Sequence, residues 1–370
     1  MKTQEIKPEL KELHEKLERE NLGPLWAAIH ELNTIEPVAK PIPYLWKKEL
    51  IQSNLKKAQE LLTLGDGADR RAVFLINPGM KDIGPYGWGG ATQTLYAAVQ
   101  AVKPGEIAPA HRHTTTAIRF IISGKGGKGT VNGEKLDFQE GDYLITPTMA
   151  WHDHANEGDE EVLWMDCLDS PFTKYLNVCF TEFLANKQQD LIVSNDYNTN
   201  QFKGGMIRPI AKRKEELAPL GRYQWTLTKQ GLDGLSEYEP DQIDGYAVEY
   251  INPTNGRDAN DRIGARMQKL PPNFQGKAHR HVHSNVYHVF RGQGYTVMNG
   301  VRYDWSKGDF FVVPAWTWHE HVNLSDEEDA YLFSTNDLPI MEAFNFERVE
   351  EYEKNNGHQT ITDVFQPIIP

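Results

Sequence analysis

Cysteine is scarce: Cys167 and Cys179 are the two thiols in 370 residues. Two thiols cannot build a disulfide framework, so a reducing, cytoplasmic compartment is expected. Positive charge is in deficit, with 39 Lys and Arg against 52 Asp and Glu and a formal net charge of −13. A chain of that sign has no electrostatic footprint for nucleic acid. No apolar run reaches the roughly 18 residues of a membrane helix. Met1 to Glu20 is polar and lacks the apolar centre of a secretory signal. No glycine-rich nucleotide loop stands out, so no organic cofactor is expected. What remains is a soluble globular composition, 39% hydrophobic and 11% aromatic. At about 150 residues per domain, the length predicts two to three domains.

Leu10, Leu13 and Leu17 recur at helical spacing, as do Leu50, Ile51, Leu55, Ala58, Leu61 and Leu62, which predicts two amphipathic helices. Pro37, Pro41 and Pro43 break the stretch between them. From Arg71 onward, short β-branched and aromatic runs alternate with Gly, Pro and Asn, the texture of a sandwich or barrel. That half is duplicated. AVFLINPG at 72–79 returns as AVEYINPT at 247–254, and the HRH of 111–113 returns at 279–281. Gly124 and Gly126 match Gly292 and Gly294; the second copy then loses one residue. Asn132-Gly133 matches Asn299-Gly300, Gly141-Asp142 matches Gly308-Asp309, and WHDH at 151–154 matches WHEH at 318–321. Two homologous β domains follow, each with an Asn-Gly hairpin whose residues accept positive φ. The reading is a helical segment at 1–65, a first β domain at 66–184, a connecting arm at 185–230, a second β domain at 231–345 and a tail at 346–370.

The chemistry lies with the histidines. His111 and His113 are two apart, so a strand presents both on one face, and His152 follows after a hairpin. Three neutral imidazoles converging in a barrel suit iron, zinc or copper. A polar strand face is the competing reading of a lone His-X-His; the third histidine and the repeated order weigh against it. His279, His281 and His319 repeat the spacing, so a second ion is neither required nor excluded. Arg119 shares strand parity with His111 and His113 and can face the same cavity. The second copy has Tyr246, Tyr287 and Ser334 where the first has Arg71, Arg119 and Asp166. The metal-type residues thus repeat while the anion-binding ones do not, which predicts one catalytic and one supporting domain.

Gly105-X5-His111-X-His113, Gly124 and Gly141-Asp142-X4-Pro147-X4-His152 resemble the two cupin motifs. The usual cupin also has a Glu four or five residues after the second His, where this chain has Ala117 and Ile118. Three protein ligands then leave coordination positions open for substrate and oxygen, as in non-heme iron(II) oxygenases. Pro24-Leu25-Trp26, Arg70-Arg71-Ala72, LYAAVQ at 95–100 and APAHRHTTTAIRF at 108–120 carry the resemblance further, to the gentisate 1,2-dioxygenases, a bicupin family. Related salicylate and 1-hydroxy-2-naphthoate dioxygenases share the scaffold. Tyr96 and Ala98 resemble the gentisate-type pocket, where broader salicylate-type members have Trp and Gly.

This resemblance implies a mainly β bicupin, two double-stranded β-helix barrels behind a helical segment. It implies iron(II) on His111, His113 and His152, and a homotetramer. The substrates would be a small aromatic hydroxy acid and dioxygen, with gentisate opened to maleylpyruvate. Arg71 and Arg119 are expected to hold the substrate carboxylate. His154 could bond a substrate oxygen and move protons, or be structural. Asp166 would orient a histidine or the arginines. Gln100 ranks second because Gln268 matches it in the other copy, and Tyr96 could line the ring pocket or the core. A non-catalytic ligand-binding bicupin is the alternative of another class.

Overall fold

The computed structural model describes residues 7–62, 70–213 and 220–370. The ends of the helical segment (1–6 and 63–65), the start of the first repeat (66–69) and residues 214–219 of the arm lie outside the described residues. Two compact units are present, Met1–Val38 and Ala39–Pro370. The first contains the expected helix, Pro8–Arg19, and one the periodicity did not reveal, Leu25–Leu32. Within that unit Trp26 Nε1 donates to His14 Nε2 at 3.0 Å. No helix among the described residues is long and apolar enough to cross a membrane.

The second unit contains the other expected helix, Lys48–Leu61, which buries Ile51 and Leu55. Both repeats follow in the same unit, each as two sheets that face one another without closing into a continuous barrel. In the first repeat, a six-stranded sheet includes Tyr96–Val102, Ala117–Ser123 and Val162–Leu168. The opposing five-stranded sheet carries Ile107–His113 and His152–Asn156. The second repeat answers with two six-stranded sheets, one holding Gly264–Leu270, Asn285–Arg291 and Ala330–Asn336. The hairpins at Asn132-Gly133 and Asn299-Gly300 turn with φ of 47° and 78°, and of 49° and 83°.

Each repeat borrows a strand from a segment read as peripheral. Tyr44–Trp46 pairs with Phe310–Val313 of the second repeat. Arg222–Tyr223, from the segment read as a plain arm, pairs with Tyr143–Leu144 of the first. The repeated Gly-Asp pair anchors these crossings. Asp142 accepts from the Gln139, Trp225 and Arg222 nitrogens at 3.0, 2.9 and 2.7 Å. Its counterpart Asp309 accepts from the Ser306 and Lys48 amides at 2.8 and 2.9 Å and pairs with Lys47. The glycine before each has φ of 86° or 96°, open to a residue without Cβ.

Strand alternation then sorts the side chains. In Ala117–Ser123, Ile118 and Phe120 join the core between the repeats, while Ile121 joins the interior of its own repeat. Between repeats Phe120 stacks on Phe333 at 4.1 Å and Tyr143 on Tyr250 at 4.5 Å. Cys167 is on this face too, buried, accepting from Thr335 Oγ1 at 3.4 Å, which makes it a packing residue. The other face of the same sheet is free to build a site.

Candidate metal centre and substrate cavity

His111 and His113 stand on Ile107–His113, and His152 begins the adjacent strand, directly opposite His111 in the register. A register shift between Ala108 and His111 bends the strand there. The candidate ligand nitrogens of the three rings all lie within 4.8 Å of one another. Backbone carbonyls fix the tautomers of His113 and His152, whose Nδ1 lies 2.7 and 3.0 Å from the carbonyls of Thr115 and Ala150, whereas His111 Nδ1 lies between the Pro109 carbonyl at 3.1 Å and the Arg70 guanidinium, a donor, at 2.9 Å. An Nδ1–H donated to a carbonyl leaves the lone pair on Nε2. His152 Nε2 is buried without a partner, the state of a nitrogen made to ligate. Burial holds His111 down at about 3 and His113 at about 4, so both are neutral at pH 7. The donor set fits a borderline divalent ion with positions left open.

Beside the histidines is a cavity of about 320 Å³. Tyr96, Gln100, Arg119 and Asp166 line it, together with His111 and His113. Arg119 and Asp166 are cross-strand neighbours, with Nε and Oδ1 2.8 Å apart. Arg119 Nη1 donates to Thr146 Oγ1 at 2.7 Å, and Trp164 Nε1 donates to Asp166 Oδ2 at 2.9 Å. Burial pushes Arg119 down and Asp166 up, and each charge opposes the shift of the other. Gln100 Nε2 is buried without a partner. Tyr96 packs on Phe74 at 5.7 Å, and burial raises its phenol.

Two expected residues sit elsewhere. Arg71 is not on the cavity wall; its guanidinium pairs with Glu106 and reaches the Leu62 carbonyl at 3.4 Å. Arg70 lines the cavity instead, with Nη2 2.9 Å from His111 Nδ1. The reason is parity. Ala72 lines the cavity, so the residue two before it shares that face and the residue between them turns away. The comparison of copies held the same signal for Arg70, since Gly245 aligns with it as Tyr246 does with Arg71. His154 lies behind His152, ring centroids 5.9 Å apart, against Trp164 at 5.4 Å. Both its nitrogens are buried and unpartnered. The strand Thr181–Phe183 was not foreseen at the site; it pairs with the His-X-His strand and sets Phe183 opposite His111.

The second repeat has the same frame and a different interior. His279, His281 and His319 also bring their nitrogens within 4.8 Å. Tyr287 pairs with Ser334 in the register that joins Arg119 to Asp166. His321, the counterpart of His154, has Nδ1 2.8 Å from Thr296 Oγ1. Gly129 occupies the matching cross-strand place in the first repeat, which is why His154 lacks that partner.

A cupin-domain family model matches residues 98–168 and again 266–336. The chain is 36% identical to the 5-aminosalicylate 1,2-dioxygenase of a Comamonas species, over 96% of this chain and 94% of that protein. It is 35% identical to gentisate 1,2-dioxygenase 1 of Aquipseudomonas alcaligenes, over 93% and 96%. The salicylate 1,2-dioxygenase of Pseudoaminobacter salicylatoxidans, solved with gentisate, superposes with a TM-score of 0.86 at 32% identity, covering 94% of this chain and 95% of that one. With two cupin repeats, a three-histidine centre in the first and relatives matched over nearly their whole length, the chain belongs to the bicupin family of gentisate- and salicylate-type ring-cleaving dioxygenases.

Proposed function

We propose that the chain is a gentisate 1,2-dioxygenase, converting 2,5-dihydroxybenzoate and dioxygen to maleylpyruvate in a cytoplasmic homotetramer. The catalytic unit would be residues 66–184, with 231–345 as its supporting partner. The carrying observation is the pairing of a three-histidine centre with two cavity arginines, Arg70 and Arg119, where the second repeat has Gly245 and Tyr287. His111, His113 and His152 would hold iron(II). That ion would supply a Lewis acid for the carboxylate and ortho-hydroxyl oxygens and the electron transfer that joins dioxygen to the ring.

The chain's own groups do the rest. Arg119 neutralises the substrate carboxylate, and Asp166 positions Arg119 through the 2.8 Å contact. Arg70 is a second cation on the same wall. Gln100 offers its unpartnered Nε2 to a ring oxygen, and Tyr96 packs along the aromatic face. His154 is off the cavity wall, sealed behind His152 and against Trp164, so it supports the metal-bearing strand and exchanges no proton with substrate. Together these hold the ring so that the bond between its carboxyl-bearing and hydroxyl-bearing carbons opens. Both atoms of dioxygen enter the product.

The test is oxygen uptake by the iron(II)-loaded chain with gentisate, salicylate and 1-hydroxy-2-naphthoate offered separately. Gentisate is expected to be consumed most efficiently. Preferential turnover of either competitor would overturn the substrate assignment, and no uptake with any of them would overturn the reading as a whole. Light scattering of the purified chain checks the tetramer.

A further inference from the structure

The two histidine trios differ at one neighbouring position. Ala117 stands four residues after His113, and Asn285 stands four residues after His281. Register confirms the match: Ala117 faces Leu168 and Thr146, and Asn285 faces Asn336 and Val313. The Asn285 side chain turns to the trio, with Nδ2 3.2 Å from His281 Nε2. Its Oδ1 is buried without a partner, and Asn285 is only 2% exposed. A buried carbonyl oxygen left unpaired is unfavourable unless a donor or a cation meets its lone pairs.

We infer that the second repeat is a four-ligand metal site, in which Asn285 Oδ1 joins His279, His281 and His319 on a divalent first-row cation. A half-turn of the amide exchanges its nitrogen for its oxygen at nearly the same place. The hydrogen bond lost is the one to His281 Nε2, and that is the lone pair the ion takes. The imidazoles are already oriented. His281 Nδ1 lies 2.7 Å from the His283 carbonyl, and His319 Nδ1 lies 2.9 Å from the Thr317 carbonyl, so both present Nε2. His319 Nε2 and His279 Nδ1 are buried and unpartnered. The His283 ring stacks on His281 at 3.5 Å, with planes 5° apart, and its Nδ1 lies 2.9 Å from Glu347 Oε1. The segment after the repeat is thereby tied to the site.

Four protein ligands make a closed centre, whereas three leave a position for chemistry. The duplication has split accordingly: Ala117 keeps the first centre open, and Asn285 fills the equivalent place in the second. The second ion therefore holds structure, joining Asn285–Arg291, His279–His281 and His319–Asn323. Binding to the folded state alone raises stability with metal concentration.

The experiment uses the full chain stripped of metal, titrated with Zn(II), with Co(II) as spectroscopic probe. Wild type should take up about two equivalents, and His113→Ala and His281→Ala about one each. The intense visible absorption of four-coordinate Co(II) should survive in His113→Ala and vanish in His281→Ala. Asn285→Ala should weaken the second equivalent at least about tenfold, while Asn285→Asp, which supplies a carboxylate oxygen, retains it. Chelation should lower the melting temperature of His113→Ala. A single equivalent in wild type, or an Asn285→Ala chain that binds the second ion as tightly as wild type, would overturn the inference. Turnover of gentisate by a wild-type chain that takes up only a single equivalent would sink this inference and leave the proposed reaction standing. Two equivalents without ring cleavage would do the reverse.

Discussion

Two adjacent arginines give the sharpest test of the cavity's construction. Arg70 lines the cavity, and Arg71 is 2% exposed against Glu106. Extended backbone turns successive side chains to opposite faces, so the two substitutions should fail in different ways. A charge-assisted hydrogen bond to a carboxylate contributes about 1.5–3 kcal/mol. Arg70→Ala should thus lower kcat/KM by about ten- to hundredfold, since 1.4 kcal/mol is tenfold. Its melting temperature should fall by less than that of Arg71→Ala, because the contacts it gives up, to His111 and the Pro109 carbonyl, lie on the cavity wall. Arg71→Ala strips Glu106 of its guanidinium partner, although Glu106 Oε2 still accepts from the Lys103 amide at 2.7 Å. That partial satisfaction limits the loss of stability to about 1–3 kcal/mol, with kcat/KM for the folded fraction near wild type. The assay is steady-state oxygen uptake alongside urea denaturation for each variant. If Arg71→Ala lost kcat/KM at unchanged stability while Arg70→Ala was silent, the assignment of faces would be wrong.

Three further outcomes follow from the same geometry. His113→Ala should abolish ring cleavage and lose the first metal, while His281→Ala keeps most of its turnover; equal loss in a folded His281→Ala chain would contradict a single catalytic centre. Arg119→Ala leaves Asp166 buried with one remaining donor, Trp164 Nε1, and should destabilise by about 3–5 kcal/mol. Adding Asp166→Asn should recover much of that stability in denaturant melts and none of the activity. His288, packed on Phe310 at 4.5 Å, is held by burial at about 3, far below its usual 6.5. The unfolded chain therefore binds the extra proton, and stability is lost as pH falls from 6.5 toward 3, by about 2 kcal/mol between pH 7 and pH 5. His288→Leu should flatten that part of the profile in thermal melts, and an unchanged slope would show that His288 protonates without unfolding.

The repeat was legible because it is written twice. Matching HRH, Gly-Asp and WH(D/E)H in order locates two equivalent frames, and His-X-His on a strand then fixes which faces converge. Arg119 was readable by the same parity, since only even steps separate it from His111 and His113. Arg71 misled because strand parity was not carried back from Ala72, where it selects Arg70. Thr181–Phe183 was hidden for a different reason: it is a short exposed edge strand whose partner, the His-X-His strand, is about 70 residues earlier. Arg222 was equally silent, because only long-range pairing with Asp142 makes the arm part of the first repeat. The helix Leu25–Leu32 has no buried residue and so left no clear apolar stripe to read.

The central claim is that the first repeat opens an aromatic ring with dioxygen at a three-histidine centre flanked by cavity arginines. The most direct measurement loads the metal-free chain with iron(II) under anaerobic conditions, adds gentisate, and then admits isotopically labelled dioxygen while product is followed by mass spectrometry. The account predicts no turnover before oxygen enters, then maleylpyruvate with oxygen consumed in equal amount and label incorporated, and none of this in His113→Ala. Gentisate consumed without oxygen, or left intact by an iron-loaded and folded chain, would contradict it.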